Sequence, residues 1–263
     1  MNSLLTGRKK WFLGTVHLLP LPGSPRYGGR MAVILKQAVA DARAYAAGGA
    51  DGLIIENFHD VPFTRDAVAP ETVAAMSLAA GAIREVVSLP FGFNVLRNDA
   101  RTGLGLCAAC GGAFIRVNVH AGVMLADQGL LVGRAYETLR TRHHLCPEVK
   151  ILADVHVKHA VPLGNWPIES AARDTLHRGL ADALIVSGTG TGIATDIEDV
   201  RRVRAVCPDA KILLGSGVTR ENISPFLPFI DGIIVGSSLK RGGQVLNVVD
   251  ARRVAALAKA LGR

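Results

Sequence analysis

Eight short apolar runs, most of them closing on glycine, serine or a polar side chain, alternate with segments long enough for helices. That alternation limits what this chain can fold into. The runs are Phe12–His17, Gly52–Asn57, Phe91–Leu96, Ala113–Asn118, Lys150–Val155, Ala183–Gly188, Lys211–Gly217 and Gly232–Ser238. Strands of a parallel sheet look like this, because crossover helices bury both of their faces. Helical patterns lie between them at Met31–Ala47, Pro70–Val87, Tyr136–His144, Ile168–Arg178, Asp196–Val206 and Asp250–Leu261, the first with an apolar stripe at Val33, Leu35, Val39 and Tyr45. Strand and helix repeat with no break in composition. This predicts an α/β fold, a single (β/α)8 TIM barrel over residues 1–263, with an open doubly wound sheet as the alternative.

Loop length is asymmetric. Helix-to-strand turns such as "CPEVK" and "CPDAK" are short, and the Cys-Pro in each stops a helix before the next strand. Strand-to-helix loops are long at His17–Arg30, Glu56–Ala69, Asn118–Gly133 and Val155–Pro167. In a barrel the long loops cover the C-terminal face, where active sites lie.

Composition removes several function classes. Net charge is +8, but Lys and Arg are scattered and aromatics make up only 5%. Nucleic-acid binding calls for clustered basic residues, so no nucleic-acid partner is expected. "GRKK" before "WFLGTVHLLPLPGSP" imitates a signal peptide, yet His17, Pro20 and Pro22 break the apolar run. No stretch has the apolar length of a membrane span. "CAAC" at Cys107 and Cys110 has redox or zinc spacing, but no second Cys or His pair sits at zinc-finger distance. Small core thiols in a cytoplasmic protein are the expected reading.

The seventh and eighth runs both end in glycine and serine, "GSGVTREN" and "VGSSLKRGG". The last two strands of a barrel often form a phosphate site, where glycine lets the backbone approach and helix-start amides point at the anion. Ser216, Gly217, Val218, Gly236, Ser237 and Ser238 are therefore the phosphate-binding candidates, with Lys240 or Arg241 adding charge. The sixth run ends in "SGTGTG", which offers Ser187 and Gly188 to a phosphate or a sugar hydroxyl. Glu56 and Asp154 lie at strand ends and are the candidate proton carriers, with Lys158 and His17 stabilising developing charge. Lys158 is also open to Schiff-base chemistry. Asn57, Asn94, Arg97, Asn118, Asp127 and His156 complete the polar set as substrate-binding candidates. A divalent metal shared by Glu56, Asp154 and His17 or His156 is a further option, with no local metal motif to support it. No other cofactor is evident.

These same residues lie in segments that strongly resemble the BtpA/SgcQ family: "GTVHLLPLPGSP", "IIENFHDVPF", "GFNVLRNDA", "FIRVNVHAG", "ADQG", "ILADVHVKHAVPL", "SGTGTG" and "GSGVTREN". The resemblance runs from about Gly14 to Lys240. It implies a barrel similar to the ribulose-phosphate-binding barrels. For function it implies two directions, photosystem I biogenesis in one branch and carbohydrate uptake and metabolism in another, with no assigned reaction. Ala126 stands where the family pattern has a hydroxyl residue before Asp127. The reading is an enzyme acting on a small phosphorylated substrate by isomerase, epimerase or lyase chemistry. The alternatives are a non-enzymatic assembly factor and a metal-assisted hydrolase, and a homo-oligomer is open.

Overall fold

The computed structural model describes residues 10–262. Eight parallel strands close into a barrel in the order β1 (Trp11–His17), β2 (Gly52–Glu56), β3 (Phe91–Asn94), β4 (Phe114–Val117), β7 (Lys150–Val155), β9 (Ala183–Ser187), β10 (Ile212–Gly215) and β11 (Gly232–Val235), which pairs back onto β1. "WFLGTVH" is thus a barrel strand and not a leader core. Of the basic stretch before it, only Lys10 falls within the described residues.

Seven helices surround the barrel: α1 (Met31–Ala47), α2 (Pro70–Arg84), α3 (Ala100–Cys110), α4 (Ala135–Leu145), α5 (Ile168–Arg173), α6 (Ile197–Val206) and α7 (Ala251–Ala260). No helix is long and apolar enough to cross a membrane among the described residues. The connection from β10 to β11 holds only a single 3-10 turn, Ser224–Phe226. The helix start expected after "GSG" is instead a local turn. Thr219 Oγ1 accepts from the amides of Glu221 and Asn222, and the Asn222 side chain bonds back to Thr219 N and Gly217 O.

The α1 stripe is displaced from the sequence reading. Its buried face is Ile34, Ala38, Asp41, Ala42 and Tyr45, while Val33 is 43% exposed. Positions 34, 38, 42 and 45 follow the 3.6-residue period, and positions 33, 35 and 39 do not share one face. α3 carries the "CAAC" cysteines. All four cysteines are free, and burial pushes the Cys107 thiol well above its usual pKa.

Strand periodicity divides the core in two. Phe12, Val16, Ile55, Phe93, Ile115, Ile151, Leu184, Leu214 and Ile233 face the helices. Leu13, Ile54, Phe114, Leu152, Ala183, Ile185, Leu213 and Ile234 form a separate apolar plug inside the barrel. Two of the long mouth loops are not irregular. They build an antiparallel sheet of β6 (Gly129–Val132), β5 (Val123–Ala126) and β8 (Ala160–Pro162). Met124 and Leu131 on its inner side pack on Val119 and Val157.

The N-terminal end of the barrel is tied by three aspartates at strand entries. Asp51 accepts the Phe12 amide, Asp182 the Ile151 amide and Asp231 the Ile212 amide, at 2.8, 2.9 and 2.9 Å. Arg142 and Lys150 pair with Asp182, and Arg204 and Lys211 with Asp231. The two Cys-Pro turns read from the sequence lead into these two strand entries.

Candidate active site

Two residues beyond the apolar plug, the same inward register becomes polar. Thr15, Glu56, Arg116, Asp154 and Ser187 continue the positions of Leu13, Ile54, Phe114, Leu152 and Ile185. Two of these groups, Arg116 and Asp154, are bonded to each other, and Asn118 and Asn94 extend the network. Arg116 donates to both oxygens of Asp154, Nε at 3.0 Å and Nη2 at 2.9 Å. Asn118 donates to Asp154 at 2.9 Å and accepts from Asn94 at 3.1 Å. The Arg116 and Asp154 side chains are 4% and 0% exposed, so this is a buried, bidentate ion pair.

Glu56 stands apart. It is 3% exposed, yet its carboxylate makes no hydrogen bond or ion pair among the described residues. Burial raises its pKa above the usual carboxyl value, against the pull of Arg116 and Lys158. Lys158 likewise has no hydrogen-bond or ion-pair partner among the described residues, its Nζ lying 6.0 Å over the Phe58 ring. Burial, then the neighbouring Arg116 charge, lower its pKa from 10.5 to about 8. His17 is held well below 6.5 by burial, then by Lys240 and Lys158, and is therefore neutral. Its ring stacks on Phe58 with centroids 4.2 Å apart, and its Nδ1 has no partner.

A cavity of about 310 Å³ joins these groups to the two glycine-serine ends. Its wall includes His17, Glu56, Arg116 and Lys158 together with Ser216, Gly217, Gly236, Ser237 and Ser238. A second cavity, of about 370 Å³, shares Glu56, Lys158 and Thr191 with the first and reaches Asn94, Arg97 and Asn118. The mouth therefore has two lobes meeting at Glu56 and Lys158.

Other sequence candidates lie off both walls. Asp154 is turned into its ion pair. Asn57 braces loops, accepting from Leu96 N at 2.8 Å. Asp127 is at the exposed β5–β6 turn and accepts from Gln128. His156 packs beside Trp166, with centroids 5.8 Å apart. Gly188 is closed in, since a Cβ there would lie 2.4 Å from Ile193 O. The Val218 side chain is core, and Ser187 lines neither lobe. No three His, Cys, Asp or Glu side chains converge to hold a metal ion among the described residues.

The anion candidates are refined in the same way. Ser216 and Gly217 both have positive φ, 60° and 64°. The Ser216 hydroxyl donates to Gly190 O and Ile193 O, and that of Ser238 donates to Val218 O. Of Ser216, Ser237 and Ser238, Ser237 has its hydroxyl unspent within the described residues. Gly236 has a second constraint besides any anion, because a Cβ there would lie 2.7 Å from the imidazole Cε1 of His17. Lys240 is unavailable as an anion ligand. It is wholly buried against Asp41, also wholly buried. Besides Arg116 and Lys158, the wall carries the cation Arg253, whose Nη1 also donates to Ser238 O at 2.9 Å.

Arg116, Thr15 and Arg253 were missed in the sequence. Arg116 was legible from period-2 spacing, two residues after Phe114 and two before Asn118. Arg253, on α7, had no local signal.

The sequence matches the BtpA family over residues 8–263. The chain belongs to the BtpA family. Among its relatives is the photosystem I biogenesis protein BtpA of Synechocystis, 45% identical over 249 residues, which cover 95% of this chain and 87% of that protein. The sgc region protein SgcQ of Escherichia coli is 34% identical, with 94% and 92% covered. In fold, this BtpA-family chain is similar to a tryptophan synthase structure from Mycobacterium tuberculosis, with TM-score 0.62 at 18% identity, covering 97% of this chain and 93% of that one.

Proposed function

We propose that this chain is an enzyme acting on a small phosphorylated metabolite, by proton transfer of the isomerase, epimerase or lyase kind. The observation that carries the reading is the pair Glu56 and Lys158. Neither side chain has a hydrogen-bond or ion-pair partner among the described residues, Lys158 Nζ lying 6.0 Å over the Phe58 ring, and both line a cavity that runs to the Ser216–Gly217 and Gly236–Ser238 backbone. A buried carboxylate with nothing to bond to is costly in a stable fold, and perturbed groups of this kind mark functional sites.

In this reading the phosphate lies against the Ser216–Gly217 and Gly236–Ser237 backbone, with Ser237 and Arg253 adding donors. Glu56, its pKa raised by burial, takes a proton from the reacting carbon or hydroxyl. Lys158, near pKa 8, returns a proton or stabilises the oxyanion that forms. Neutral His17 donates or accepts a hydrogen bond without adding charge. Asp154 is reassigned from proton carrier to positioning group, because Arg116 and Asn118 already occupy its oxygens.

The test is thermal shift with inorganic phosphate and sugar phosphates against the matching free sugars. Ligands that bind only the native state raise the melting temperature. A rise with the phosphorylated compounds alone supports the site. Equal behaviour of both sets removes it.

A second reading, a non-enzymatic assembly factor, has one observation of its own besides the name of the Synechocystis relative. Leu125, Leu130 and Val161 are cross-strand neighbours on the mouth sheet and are 47%, 45% and 58% exposed. A Glu56→Gln chain that fully replaces the wild type in its host would favour this reading over catalysis.

A further inference from the structure

The second lobe of the mouth differs in chemistry from the first. Apart from the residues the two lobes share, half of its lining residues are apolar, Phe58, Val61, Phe63, Leu96, Val245 and Leu246, and the others are polar side chains that include Arg97 and Asn94. A simple phosphosugar has no group that would fill such a surface favourably, since its hydroxyls would lose water for apolar carbon. We infer that the ligand is bipartite, with a phosphate in the glycine-serine lobe and a flat apolar ring in the second lobe, the bond between them spanning Glu56 and Lys158. This rests on the phosphate reading above and names the class of substrate that reading leaves open.

Three further observations support the assignment. First, the two lobes share Glu56, Lys158 and Thr191, so one molecule occupying both passes the unpaired acid and amine. Second, Leu246 is 69% exposed and lines the lobe from the loop after β11. That loop is anchored at its base: Lys240 pairs with Asp41, Val249 N donates to Asp41 at 2.8 Å, and Arg241 N donates to Val248 O at 2.9 Å. An apolar side chain held in water on an anchored loop has surface to gain from a ligand.

Third, the inner wall holds unspent polar groups. Arg97 is 4% exposed and Asn94 2% exposed. Arg97 Nε and Asn94 Oδ1 have no partner among the described residues. The Arg97 guanidinium donates to the Lys158 carbonyl but faces no carboxylate partner in an ion pair there. A polar or anionic substituent on the ring would meet these groups, so the lobe selects a substituted ring over a bare aliphatic tail.

The experiment is calorimetry on the full-length protein with four probes: inorganic phosphate, propyl phosphate, 3-phenylpropyl phosphate and benzoate. The phenyl compound should bind at least tenfold more tightly than propyl phosphate, as burial of a ring's apolar area predicts. Leu246→Asp, at an exposed position, should cut that ratio below threefold. Arg97→Met should weaken benzoate more than 3-phenylpropyl phosphate. Equal affinity of the two alkyl phosphates overturns the bipartite ligand while leaving the phosphate site standing. Binding of benzoate with none of the three phosphates overturns the phosphate reading and the bipartite ligand with it. An unchanged ratio in Leu246→Asp moves the ring out of this lobe and overturns the assignment.

Discussion

The two ends of the barrel both carry charged side chains and use them in opposite ways. At the N-terminal end, Asp182 and Asp231 are each spent on a strand amide and two basic side chains, and Asp51 is spent on the Phe12 amide. At the C-terminal end, the Glu56 carboxylate, the Lys158 amine and the Nδ1 of His17 are buried or half-buried with no hydrogen-bond or ion-pair partner among the described residues. The difference separates groups that hold the fold from groups held by the fold. A network whose members satisfy one another rigidifies, whereas an unsatisfied buried group costs stability. Within the mouth the same division recurs at closer range: Arg116–Asp154 is complete and Glu56 is not.

The comparison is tested hardest at Glu56. Glu56→Gln should lower turnover of a substrate by about 10²–10⁴-fold, the usual worth of a positioned acid or base. It should also raise the melting temperature. The carboxyl pKa is raised in the folded state, so its ionisation costs stability as pH climbs above the reference value of 4.5. The variant should lose that decline. A fall in stability with activity retained would place Glu56 among the structural charges.

Arg116→Met should behave in the opposite way. It leaves Asp154 charged and buried, at a cost of about 3–5 kcal/mol in denaturant unfolding. A loss under ~1 kcal/mol would show that the pair is not a bracing element.

Lys158→Met sharpens the pH side of the comparison. The folded pKa of about 8 lies below the reference 10.5, so the native state holds fewer protons between those values. Wild-type stability should therefore rise from about pH 8 to 10.5, by on the order of 2–3 kcal/mol, and the variant should not show the rise. A flat wild-type profile would contradict the lowered pKa.

The smallest effect is expected at the other end. Asp231→Asn weakens the Arg204 and Lys211 pairs and should cost about 1–2 kcal/mol, with phosphate affinity unchanged. The native interactions hold the Asp231 pKa below 3.8 although burial opposes them, so its contribution is present above that pH and is lost as pH falls through the folded pKa. A change in ligand affinity would mean the two ends are not independent.

Most of the barrel was legible in the chain because strand and helix periods are local. Runs such as "GLIIE" and "GIIVG" declare two-sided burial by themselves, and the position of Glu56 at a strand end follows from its run. The lobes were not legible in this way. That Asp154 is consumed by Arg116, that Lys240 is consumed by Asp41 199 positions away in sequence, and that Arg253 faces the glycine-serine ends depend on contacts between distant elements.

The sequence alone determined the repeating strand and helix order, and with it the end of the barrel where the candidate site is expected. Only the tertiary structure decided which charges there are already paired. A side chain's availability depends on its partner's position, and that position exists only after the ring closes. Gly236 shows the same limit. As a sequence feature it reads as room for an anion, but only after β11 pairs with β1 does it become visible that a Cβ there would also meet the ring of His17.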